Sequence, residues 1–157
     1  MPWLPGLLVM HIKVYITKFD MMYLSYFLHI GAYLVLDSTN ASKDDFAILQ
    51  SPIVSTTKQY GCLSFFYNMY GDNIGSLEFQ FLDVNSGNPS TMWILEGKQG
   101  YWTHGQFPLP KGQNMTDYAL YIIGKLGGPK TSDIALDDVI FQLNDCDGKN
   151  VYQILYI

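Results

Sequence analysis

Residues 60–71 read YGCLSFFYNMYG, and the run 62–70 inside them decides the fold. Leu63, Phe65, Tyr67 and Met69 fall on one face of an extended chain, and Cys62, Ser64, Phe66 and Asn68 on the other. A period of two, carried by aromatic residues, argues a strand half-buried on one face. Gly71, Asp72 and Asn73 follow at once with the residue types that turn a chain.

The same pattern repeats outward in both directions. Alternating apolar runs occupy 31–36, 46–50, 76–84, 91–95, 101–109, 117–125 and 133–143. Between them lie clusters of Gly, Pro, Asn and Ser, including Ser51-Pro52, 85–89 and 127–129. Short strands at this spacing predict a β-sandwich or barrel. No window carries a sustained 3.6-residue period with caps, so helix content is expected to be low. Residues 1–30 break the pattern: they are apolar and Met-rich, and read either as an extra strand or as a stretch foreign to the domain.

Composition agrees. A chain of 157 residues makes one domain with a real core. It holds twelve Tyr, nine Phe, fourteen Gly and only two Glu, a bias toward strands and turns. Twelve Asp and two Glu against nine Lys give a net charge of -5, and arginine does not occur. That balance excludes the basic face a nucleic-acid binder needs and the bidentate Arg clamp common in phosphate sites. The near-uncharged stretch 21–36 is sixteen residues long, short of the roughly 20 needed to cross a bilayer as a helix.

Cys62 and Cys146 match no zinc-ligand spacing, which leaves two buried thiols or one long-range disulfide. Sequons stand at Asn40-Ala41-Ser42 and Asn114-Met115-Thr116, marking Asn40 and Asn114 as candidate glycosylation sites. The N-terminus lacks the basic segment of a signal peptide. His11, His29 and His104 are widely spaced, and no nucleophile elbow, zincin helix or phosphate loop occurs, so no catalytic residue is expected.

The motifs in order resemble the MAM domain family, named for meprin, a neuropilin antigen and a receptor tyrosine phosphatase. Gly31-Ala32-Tyr33-Leu34 and 47–52 (AILQSP) are similar to the family's GxYL and AxLxSP elements. Residues 60–71, Gly75-Ser76-Leu77, Met92-Trp93 with 97–100 (GKQG), and Trp102 continue the series. Residues 132–139 (SDIALDDV) then resemble the IALDDI signature, with Cys146 in the place of a closing cysteine. The family's opening cysteine pair and first strand have no counterpart, and residues 1–30 stand there instead.

The resemblance implies a jelly-roll-like antiparallel β-sandwich over 31–146, flanked by 1–30 and by an extension at 147–157, with Cys62 bonded to Cys146. It implies an extracellular, non-catalytic adhesion module cut from a larger protein, touching the membrane only through that parent and binding a cell-surface protein or a second copy of itself. Some members hold a cation at the strand bearing the Asp pair, so Asp137 and Asp138 are candidate Ca²⁺ ligands; the usual acidic partner from the opening strand is missing here. On strand geometry alone the two carboxylates should point to opposite faces, with hydrogen bonding or turn capping as their ordinary role. Trp93, Tyr101 and Trp102 form a candidate ligand platform, against the ordinary reading that large rings are core. The alternative function is a carbohydrate-binding sandwich.

Overall fold

The computed structural model describes residues 13–16, 33–55, 61–108, 117–128, 132–142, 146 and 154–156. It is all-β, with two antiparallel sheets and, among the described residues, no helix. The strands are β1 (Lys13–Ile16), β2 (Leu34–Leu36), β3 (Phe46–Gln50), β4 (Val54–Ser55), β5 (Cys62–Gly71) and β6 (Ser76–Asp83). They continue with β7 (Pro89–Glu96), β8 (Gln99–Pro108), β9 (Asp117–Lys125), β10 (Ser132–Gln142) and β11 (Ile154–Tyr156).

One sheet runs in the order β1-β3-β9-β6-β7, with β4 also on β9. The second runs β11-β10-β5-β8, with β2 also on β10. Neighbours in space are mostly distant in sequence, which is the Greek-key habit of sandwiches and jelly rolls. β3 and β9 keep the bounds read from the sequence; β1 falls in the stretch 1–30, read there as an extra strand or as foreign to the domain, and β4 and β11 are too short to show an alternation.

The alternation in β5 has the expected consequence from Leu63 to Tyr70, whereas Cys62, which it places on the outer face, is buried at the strand end where it bonds Cys146. Leu63, Phe65 and Met69 are fully buried and Tyr67 nearly so, while Ser64, Phe66, Asn68 and Tyr70 lie on the outer face. Leu77, Phe79 and Phe81 of β6 come up from the opposing sheet. Phe65 stacks on Phe79 with ring centroids 4.5 Å apart, and Phe107 of β8 packs against both at 5.6 Å. Each such ring contributes roughly 1.5–3 kcal/mol by leaving water, so the aromatic ladder adds substantially to the cohesion between the sheets.

Phe65 lies flat only because its partner across the ladder is Gly105. A methyl group built on Gly105 would overlap the Phe65 ring. Cys62 is bonded to Cys146, with Cα atoms 4.9 Å apart, and the bridge ties the start of β5 to the chain beyond β10. The long-range disulfide is therefore the correct one of the two alternatives for these cysteines.

Candidate functional site

The outer face of the second sheet is built on β5, with β8 on one side, β10 on the other and β2 beyond β10. Phe66 sits at its middle: the register pairs it with His104 of β8 and with Asp137 of β10. It remains exposed although it is a large ring in a strand whose other face is sealed. The His104 ring packs on it at 5.0 Å, and an imidazole nitrogen of His104 is hydrogen-bonded to the Ser64 hydroxyl at 2.9 Å.

Two bulges flank this centre. In β8, Gly100, Tyr101 and Trp102 stand opposite the single residue Asn68, because the register passes from Tyr67↔Thr103 to Met69↔Gln99. Three consecutive exposed residues result, and Trp102 and Tyr101 keep 42% and 70% of their surfaces in solvent. In β10, Asp138 and Val139 stand opposite Phe65, between Asp137↔Phe66 and Ile140↔Ser64. Bulges re-aim side chains in this way, and here they do so on both neighbours of β5.

The β10 bulge corrects the strand-geometry expectation for the Asp pair. Leu136 and Val139 are both buried, so the two aspartates between them both lie off the core and do not divide between opposite faces. Asp138 adopts a φ of 48°, and its N–H donates to the Asp137 carboxylate at 2.8 Å. That bond is local turn chemistry. Among the described residues no third His, Cys, Asp or Glu joins them in a metal-binding group. Calcium takes six to eight oxygens, of which these two carboxylates would supply only part.

Trp93 does not join Tyr101 and Trp102. It belongs to β7 in the other sheet, where it stacks on Phe107 at 4.6 Å and meets Phe81 edge-on at 6.2 Å. The expected three-residue platform is thus split: Trp93 packs on the core, and Trp102 takes Tyr33 as its companion. Their rings meet at 5.3 Å and 81° over the sheet. Tyr33 is set by the start of β2, whose far end is pinned by Ser38: its N–H and hydroxyl donate to Asp133 of β10 at 2.9 and 2.7 Å. Ser132 closes the clamp by donating its N–H to the Ser38 hydroxyl at 3.1 Å.

Sequence reasoning missed Tyr33, Phe66 and His104 as members of this face. For Phe66 the signal was present, since a phenylalanine among Ser64 and Asn68 on the polar side of a strand is out of place. Asn40, of the first sequon, is exposed on a turn closed by the Ala41 N–H to the Ser38 carbonyl at 3.2 Å. Asn114 lies outside the described residues.

Two antiparallel sheets on an aromatic core, tied by a Cys62–Cys146 disulfide of the kind typical of oxidising compartments, define a β-sandwich of extracellular type. The chain belongs to the MAM domain (meprin/A5/mu) family, whose model matches residues 25–147. It is 32% identical over 120 residues to MAM domain-containing glycosylphosphatidylinositol anchor protein 1 of Rattus norvegicus, covering 74% of this chain and 12% of that one. To neuropilin-1 of Xenopus laevis it is 29% identical over 112 residues, covering 70% and 12%. The chain therefore spans about an eighth of the length of these curated relatives. Among solved structures, the CBM22-1-GH10 modules of Clostridium thermocellum endo-1,4-beta-D-xylanase 10B superpose with a TM-score of 0.54 at 15% identity. That match covers 91% of this chain and 25% of the other, a likeness of fold.

Proposed function

We propose that this chain is a non-catalytic recognition and adhesion module that binds a protein partner at the cell surface. The observation that carries the reading is the outer face of the second sheet: Phe66 is held by the ladder, Tyr33 and Trp102 by their mutual contact, and all three rings are yet left in solvent. Rings fixed in this way offer contact area at little conformational cost, which is what a recognition surface requires. Membership of the MAM family supports the extracellular setting. Membrane attachment comes through other parts of a parent protein, and the partner is either a different cell-surface protein or a second copy of this one.

Beads bearing many copies of the secreted chain test the reading, because multivalency makes weak contacts visible. Wild-type beads are expected to aggregate or to adhere to cells, and beads carrying Trp102→Ala to do so at least several-fold less. Beads that neither aggregate nor adhere to any of a broad set of cell types would overturn it.

A further inference from the structure

We infer that the outer face of the second sheet binds a neutral glycan, so that the partner is recognised through its sugar. The inference rests on the proposed recognition role and names what is touched. Three features of the face converge on it: its size, its mixture of groups and its charge.

The size is set by the strands. From β2 across β10 and β5 to β8 is three strand spacings, about 14 Å, and Ser64 to Tyr70 along β5 is about 20 Å. A short oligosaccharide laid along the strands fits that span. The face is a sheet surface carrying exposed rings.

The chemistry alternates on the scale of one sugar ring. Phe66 and Trp102 are apolar surfaces, 39% and 42% exposed, suited to the C–H face of a pyranose. Between and beside them stand Ser64 and His104, already hydrogen-bonded to each other, and the amide of Asn68. A pyranose carries both complements, an apolar face and a rim of hydroxyls that donate and accept. The bulge opposite Asn68 is what frees Trp102 for this use, and the contact with Tyr33 holds its ring in place.

Charge selects among glycans. Carboxylates line the β10 side of the face at Asp133 and Asp137, and the ammonium of Lys98 at its rim lies 3.7 Å from Asp72 and over the Tyr70 ring. Among the described residues the ammonium at this face, that of Lys98, is already engaged by Asp72, and with arginine absent from the chain no bidentate clamp is available for a sulfate or a sialic acid carboxylate. Hydroxyl groups of a neutral sugar, by contrast, donate to carboxylates.

The test is a panel of immobilised neutral oligosaccharides (gluco-, manno-, galacto- and xylo-configured) beside matched sialylated and sulfated ones, probed with the whole secreted chain. Binding to at least one neutral class is expected, at least tenfold weaker in both Trp102→Ala and Phe66→Ser while each variant still unfolds cooperatively above the assay temperature. Trp102→Phe, which keeps a ring, should retain part of it. No neutral ligand, exclusive binding to anionic ligands, or binding indifferent to these substitutions would overturn the inference. Glycosidase treatment of cells separates it from the recognition role. Adhesion of wild-type beads that survives removal of surface glycans leaves a protein partner and sinks the glycan. Array binding without cell adhesion or bead aggregation sinks the adhesion role and leaves the glycan site.

Discussion

Tyr33 and Trp102 meet edge to face at 5.3 Å although β10 and β5 lie between the strands that carry them. Both rings lean across the outer face, so the contact spans the sheet and couples its two margins. Edge-to-face pairs contribute about 0.5–1.5 kcal/mol beyond their burial. A double-mutant cycle on Tyr33→Ala and Trp102→Ala, read by urea unfolding, is expected to give a coupling energy of that size. Strict additivity would mean that the rings merely lie near each other.

Gly105 and Phe65 form a second cross-strand pair, and here the prediction concerns the core. Gly105→Ala puts a methyl group into a ring with 0% exposure and no room to retreat. Overpacking of this kind costs about 1–3 kcal/mol. The denaturation midpoint should fall accordingly, and the double variant Gly105→Ala with Phe65→Leu should recover part of the loss. Full stability in Gly105→Ala alone would show that the ring is not held flat by its neighbours.

Most of the core was legible because it obeys a single rule. Leu63, Phe65, Tyr67 and Met69 alternate with polar neighbours, and burial followed the alternation. The outer face was less legible because it is made where the rule fails. Residues 100–102 and 137–138 each include neighbours thrown to the same side by a bulge, and strict alternation misplaces one of each set. Trp93 illustrates the complementary difficulty: near Tyr101 and Trp102 in sequence, it is carried into the opposite sheet by the β7–β8 connection. Tyr33 needed the fold itself, since nothing in the sequence links it to a residue nearly seventy positions away.

The Cys62–Cys146 bond closes a loop with a sequence separation of 84. In the loop-entropy model such a link contributes about 4–5 kcal/mol by restricting the unfolded chain. Replacing both cysteines by serine is expected to lower the thermal midpoint by roughly 10 °C, since each kcal/mol is worth about 2–4 °C in a chain of this size. It should also reduce secretion. An unchanged midpoint would show that the strands on either side of the bridge hold their register without it.

Asn40 is exposed in its turn, and its sequon places Ser42 two residues on, where the Ser42 N–H donates to the Asp45 carboxylate at 2.7 Å. Nothing in that turn buries the amide of Asn40. When the chain is made in a secretory host, Asn40 is expected to carry glycan, and Asn40→Gln should remove that increment from the intact mass. Equal masses for the two proteins would show the sequon to be unused.

Tyr118 supplies a prediction about alkaline stability. Its side chain packs against Phe81 at 5.4 Å and Phe141 at 6.0 Å, and among the described residues its hydroxyl has no hydrogen-bond partner. Desolvation by burial penalises the phenolate and raises the pKa well above the ordinary 10.0. Above pH 10 the unfolded chain releases this proton and the folded chain retains it. The folded state is therefore favoured fully below pH 10 and loses stability as the pH rises, by up to about 1.4 kcal/mol per unit. In Tyr118→Phe that loss should disappear, and stability at pH 7 should be equal or slightly higher, because an unpartnered buried hydroxyl is removed from an apolar site. Unfolding curves at pH 7, 10 and 11.5 for both proteins make the comparison. A Tyr118→Phe chain clearly weaker at pH 7 would reveal a partner for the hydroxyl, and parallel alkaline loss in both would assign the transition to other groups.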